Sequence, residues 1–164
     1  MVLTGSLWGD GLGLDADLAH YPPRGSVTEP RPSAEAAGAV DCLMLSESGL
    51  ITEASNSNVF FVVDDRLVTP SQHAANLRGL TKAAIHDACR ANGIESAETE
   101  ITPDDAMRAT ECFVTSATRE VMPVASIRGQ DGRRATFPAG GGPVTRRVAD
   151  LYRAAIRQYV ESNR

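Results

Sequence analysis

The sequence predicts an α+β fold: a mixed, largely antiparallel sheet or pseudo-barrel flanked by helices. Three observations lead there. Apolar runs such as "DCLMLS", "NVFFVV", "RLVTP" and "ECFVTS" have strand length and are separated by tight turns, without a crossover helix between each. Two stretches, 81–92 and about 143–161, instead read as helices. With 164 residues, 42% apolar and only 5% aromatic, the chain can bury one core made mostly of Val, Leu, Ile and Ala.

Residues 1–32 stand apart: rich in Gly, Pro and Asp, with no sustained period, they read as irregular. "GDGLG" within them resembles a phosphate loop only superficially, because no clear strand precedes it and no helical pattern follows. From Ser33 the pattern sharpens. "SAEAAG" reads as a helix end closed by Gly38. "DCLMLS", "LIT" and "NVFFVV" follow as strands, with a turn at Glu47-Ser48-Gly49, and Asp64-Asp65 closes a hairpin into "RLVTP". A helix runs from Thr81 to Asn92 and stops at Gly93. "ESAETEI" alternates as a strand, and Thr102 with Pro103 opens a short helix. "ECFVTS" and "VMPVASI" are strands on either side of the loop 117–120, and "FPAGGGP" is a flexible break. In the last helix Val144, Val148, Leu151, Tyr152, Ala155, Ile156 and Tyr159 fall on one face.

The charge balance narrows the function classes. A net charge of −5, with Arg133-Arg134 and Arg146-Arg147 as isolated pairs, argues against nucleic acid as a partner. Cys42, Cys89 and Cys112 are odd in number and widely spaced, as expected of reduced thiols in a cytoplasmic protein. The N-terminal stretch has neither a basic start nor a long apolar run, so neither a signal peptide nor a membrane span is expected. His86 and Cys89 lie three apart on the predicted helix, but without a second ligand pair nearby no metal site is expected. Ser116 lacks the G-x-S-x-G setting of a nucleophilic serine.

Three stretches carry possible chemistry. Gly79-Leu80-Thr81 leads into a helix, where unpaired N–H groups and the helix dipole favour a phosphate. "TSATRE", 115–120, places small hydroxyl residues in a turn after a buried strand, a natural anion site. Glu53 in "ITEASNSN" ends a strand, where a carboxylate could hydrogen-bond a protonated ring nitrogen. Taken singly, each is explained at least as well by a Thr-capped helix, a strand exit, or a solvated glutamate.

In order, "GLITEASNSNVFFV", "LVTP", "NLRGLTK", "ATECFVTSATREVMPV" and "GPVTRRV" resemble the class IV pyridoxal-phosphate enzymes, the family of branched-chain and D-amino-acid aminotransferases and aminodeoxychorismate lyases. The resemblance spans about Ser33 to Tyr159 and implies that residues 33–164 are the large cofactor-binding domain, without the family's small N-terminal domain. It implies pyridoxal 5'-phosphate as cofactor. Glu53 would keep the pyridine nitrogen protonated, and Leu77 would pack on the ring face. Gly79, Leu80 and Thr81 would receive the phosphate, and Ser116, Ala117 and Thr118 would complete its cup. Asn58 matches a residue that braces the Glu53 loop.

Two departures stand out. Ala117 replaces a hydroxyl residue common in the family. The catalytic lysine would fall near Ala19, where only Tyr21 resembles the expected motif. Lys82 is the only lysine among the 16 Lys and Arg residues, and it stands where the family usually has Arg, at the phosphate end. The implied activity is amino-group transfer between an amino acid and a 2-oxo acid by a cytoplasmic homodimer, with this chain incomplete for catalysis. A lyase-like activity, a non-catalytic remnant that binds the cofactor weakly or serves in association, and an unrelated phosphate-binding module are the alternatives.

Overall fold

A computed structural model describes residues 2–5, 41–72, 76–129 and 131–164, the first of these as backbone alone. Nine strands form one sheet among them: β1 (Val2–Gly5), β2 (Asp41–Leu45), β3 (Ile51–Ala54), β4 (Asn58–Val63), β5 (Arg66–Pro70), β6 (Ser96–Thr99), β7 (Glu111–Ser116), β8 (Glu120–Arg128) and β9 (Arg134–Thr136). Their order is β3-β2-β1-β8-β7-β4-β5-β6, with β9 added on β8. Only β5 and β6 pair in parallel, so the mixed, mainly antiparallel sheet is as the sequence implied. Three helices accompany it: α1 (Leu80–Ala91), α2 (Pro103–Arg108) and α3 (Pro143–Ser162).

Local chemistry explains the boundaries. Asp64 and Asp65 both take positive φ, 49° and 60°, the conformation of the two-residue turn that matches strand twist between β4 and β5. Helix α1 ends where Gly93 turns left-handed at φ 69°, letting the Ile94 N–H reach the Cys89 carbonyl at 3.0 Å. Helix α2 opens on a capping box: the Thr102 hydroxyl accepts the Asp105 N–H, and the Asp105 carboxylate accepts the Thr102 N–H.

The core has two halves, one on each face of β4. Val59 and Phe61 join Leu43, Ile51, Val114 and Ile127 inside the curved sheet. Phe60 and Val62 face the other way, with Phe113, Ile85 of α1 and Val148 and Tyr152 of α3. This two-sided burial is why β4 reads as an unbroken apolar run and not as an alternation.

The structure corrects the sequence reading in three places. Residues 2–5, expected to be irregular, form β1, which lies between β2 and β8. Strand β9 was not expected from "RAT". The apolar face expected along all of α3 is buried only at its start: Val148 and Tyr152 are covered, while Ile156 and Tyr159 are exposed. Gly38 and Ala19 lie outside the described residues, as do the "SAEAAG" helix end and Tyr21. No helix among the described residues is long and apolar enough to cross a membrane.

Candidate active site

At the sheet end of α1, the strand ends and the α1 start enclose a cavity of about 390 Å³, within the roughly 300–1,000 Å³ typical of small-molecule sites. One wall is Glu53 and the loop 54–58. The second is the segment Leu77 to Thr81, and the third is Thr115, Ser116 and Ala117 at the end of β7. The three separate stretches picked out from the sequence therefore meet in one place. Of the candidate residues, Glu53, Asn58, Leu77, Gly79, Leu80, Thr81, Ser116 and Ala117 line the cavity. Thr118 is not among the lining residues; it is exposed, and its hydroxyl lies 3.3 Å from that of Ser116.

Hydrogen bonds hold the walls in register. The Leu77 N–H donates to Glu53 Oε2 at 3.0 Å, and Asn58 Nδ2 donates to the Leu77 carbonyl at 3.1 Å. Asn76 Nδ2 donates to the Pro70 carbonyl at 2.8 Å and to that of Thr52 at 3.3 Å. Glu53, only 7% exposed, is thus oriented by the same segment that leads into α1. The Asn58 side chain thus braces the segment that leads into α1. Gly79 is required here, because a Cβ at this position would stand 1.9 Å from Asn58 Oδ1. Leu77 and Leu80 expose apolar side chains at the mouth, 63% and 89% accessible.

The start of α1 differs from the other two helices. Its N-cap, Gly79, offers no side-chain acceptor, so the first-turn N–H groups have no capping partner from that residue. At α3 the Glu111 carboxylate accepts the N–H of Val144 at 3.1 Å and the N–H and hydroxyl of Thr145 at 2.7 and 2.6 Å. Helix α2 is closed by its own capping box. The helix start facing the cavity is the one its own chain leaves without a side-chain cap, and it suits an anion.

Lys82 lies one residue beyond the cavity wall and turns away from it. It is 3% exposed, and its ammonium donates to the Pro70 carbonyl at 2.9 Å and pairs with Glu98 at 3.1 Å. No lysine therefore lines the cavity. Among the thiols, burial and the neighbouring Asp41 push Cys42 up to about 11, and burial raises Cys89 and Cys112 as well. Inside the fold, all three are poor nucleophiles.

Several participants were not picked out from the sequence. Arg119 Nη1 donates to Asp41 Oδ2 at 2.6 Å and to the Ser57 hydroxyl at 3.1 Å. Asp41 Oδ1 also accepts the Ser55 N–H at 3.0 Å, so this pair ties the 116–119 turn to the loop after Glu53. A sequence separation of 78 between the partners hid the link. Thr115 opens the "TSATRE" stretch read as an anion site but is not among the residues assigned to the phosphate cup; it lines the cavity, and its hydroxyl is buried.

The family description "Amino-transferase class IV" matches residues 25–127. The chain belongs to the class IV aminotransferases. The match begins inside the stretch set apart from the family and ends before "GPVTRRV". A D-alanine aminotransferase of Bacillus licheniformis is 34% identical over 124 residues, covering 75% of this chain and 42% of the relative. The branched-chain amino acid aminotransferase from Escherichia coli superposes with a TM-score of 0.68 at 27% identity, covering 83% of this chain and 50% of that one. An aminotransferase from Brucella abortus, bound to the cofactor PLP, superposes with a TM-score of 0.63 at 30% identity, covering 74% of this chain and 41% of that one. The chain thus spans half or less of the length of these class IV aminotransferases.

Proposed function

We propose that this chain forms the cofactor-anchoring part of a pyridoxal-phosphate-dependent class IV aminotransferase, acting on an amino acid and a 2-oxo acid. The observation that carries the reading is that Glu53 and the start of α1 share one cavity of suitable size. The residues fit the cofactor at both ends. The uncapped start of α1, with Ser116 and Ala117 on the facing wall, suits a phosphate, and Glu53 offers a buried, oriented carboxylate for a protonated ring nitrogen. Leu77 offers an apolar surface for a ring face. When bound, the cofactor supplies an electron sink for the amino-acid substrate. The chain's own task is to keep the ring-nitrogen proton in place, hold the phosphate and exclude water beneath Leu77 and Leu80.

Covalent attachment is a separate matter. The single lysine is committed to Pro70 and Glu98, so no amine of this chain reaches the cavity from the described walls. We therefore assign reversible binding and no turnover to the chain by itself. The domain role of residues 33–164, a homodimer and a cytoplasmic setting belong to the same proposal; three reduced, buried thiols are consistent with the last.

The test is a spectroscopic titration with pyridoxal phosphate, followed by borohydride reduction, peptide mass analysis and an amino-transfer assay. Saturable binding, no adduct on the Lys82 peptide and no turnover are the expected results. A reduced adduct on Lys82, with turnover lost in Lys82→Ala, would make the chain a rearranged working enzyme. No saturable binding would remove the cofactor reading.

A further inference from the structure

The Thr115 hydroxyl is a conspicuous polar group in the cavity wall. Thr115 is 1% exposed, and its Oγ1 has no hydrogen-bond partner among the described residues. A buried hydroxyl normally finds a partner, because leaving one unmade costs more than a formed bond returns. Strand register places this one. Thr115 pairs across the sheet with Asn58 on β4, and Asn58 Oδ1 lies against Gly79 at the start of α1. Thr115, the last residue but one of β7, therefore lies across Asn58 from the start of α1, and both line the same cavity. Of the next residues along the wall, Ser116 has its Oγ engaged with the Arg119 N–H at 3.2 Å and the Thr118 hydroxyl at 3.3 Å, and Ala117 has no hydroxyl.

We propose that Thr115 is a ligand-binding residue: its hydroxyl donates to an anionic oxygen of a phosphate monoester seated at the start of α1, supplying the side-chain donor that Ala117 lacks. This rests on the reading of the cavity as a phosphate-anchored cofactor site. A purely structural threonine would be there for its β-branched shape, which valine reproduces. The two roles differ in sign for one substitution. Thr115→Val keeps the shape and deletes an unsatisfied hydroxyl, so the unliganded protein should melt at the same temperature or higher. Its affinity for phosphate-bearing ligands should fall.

The experiment is calorimetric titration of the wild-type chain, Thr115→Val and Thr115→Ser with pyridoxal phosphate, inorganic phosphate and pyridoxal, alongside melting curves without ligand. In Thr115→Val, binding of pyridoxal phosphate and inorganic phosphate should weaken about tenfold, the scale of one hydrogen bond to a charged group. Pyridoxal, which lacks the phosphate, should be unaffected, and Thr115→Ser should retain wild-type affinity. Thr115→Ala should show the same selective loss if the valine variant does not fold. If wild type binds pyridoxal phosphate and the valine or alanine variant binds it within twofold, or loses pyridoxal equally, the inference is overturned while the cofactor reading stands. If wild type binds none of the three ligands, the cofactor reading fails and this inference falls with it.

Discussion

Arg119 joins two walls of the cavity that lie far apart in sequence. Its guanidinium meets Asp41, whose side chain is 1% exposed and whose other oxygen holds the Ser55 N–H. Removing the cation leaves a carboxylate in the interior with backbone donors but no counter-charge. Arg119→Ala should therefore cost about 3 kcal/mol of unfolding free energy, read from urea denaturation. It should also loosen the Ser116 turn, seen as faster amide exchange there. A cost below about 0.5 kcal/mol would mean that the pair behaves as an ordinary surface bridge. Arg119→Lys should lie between the two, since an ammonium cannot keep the guanidinium's fixed geometry toward both Asp41 and Ser57.

Helix ends show the same dependence on distant partners. Helix α3 has Gly142 as its N-cap residue, and Glu111 on β7 caps the helix across the fold. A Cβ at Gly142 would stand 2.2 Å from Glu111 Cδ, so Gly142→Ala must expel the cap. Loss of a cap costs about 1 kcal/mol, and displacement of a buried carboxylate adds to it. A melting temperature lowered by several degrees is expected, and an unchanged one would show that α3 does not need this cap. In α1, His86 packs on Phe60 with ring centroids 5.6 Å apart, and its Nδ1 lies 2.7 Å from the Ser96 hydroxyl. Burial lowers its pKa below the ordinary 6.5, outweighing the pull of Glu98 on β6, while Lys82 and Arg90 add to the lowering and Asp87 opposes it. The folded state therefore disfavours the imidazolium. Its stability contribution is present above about pH 6.5 and is lost as pH falls from there through the lower folded value, because the unfolded chain takes up the proton first. Denaturation midpoints should drop below pH 6.5 in wild type and drop less in His86→Gln; equal slopes would assign the change to other groups.

Over the whole molecule, β4 and β7 are the shared wall of both core halves. Phe60 and Phe113 stack at 4.9 Å, 8° from parallel, beneath α1 and α3, while Phe61 and Val114 point into the curved sheet. Phe113→Ala should cost about 3–5 kcal/mol by leaving a cavity at this junction. Because the cavity wall at Thr115 continues the same strand, its unfolding should coincide in fluorescence and far-ultraviolet circular dichroism. Two separated transitions would show that the helix layer and the sheet melt independently.

Much of this was legible from local sequence. The Asp64-Asp65 turn, the Thr102 cap and the Gly93 stop each follow from what a few adjacent side chains allow the backbone to do. The apolar runs fixed the strands for the same reason, and Glu53, the α1 start and the Ser116 turn stood out as local chemistry. Strand β1 was not legible: four residues in a Gly-, Pro- and Asp-rich setting acquire strand form only by pairing with β2 and β8. Nor could sequence show that Thr118 turns outward, that Lys82 is drawn to Pro70 and Glu98, or that Thr115 is enclosed with its hydroxyl unpaired. Local sequence determined the elements and the types of group available. Tertiary structure alone decided which groups share a cavity, because hydrogen bonds and charge pairs act across a few ångströms of space irrespective of how many residues of chain lie between them.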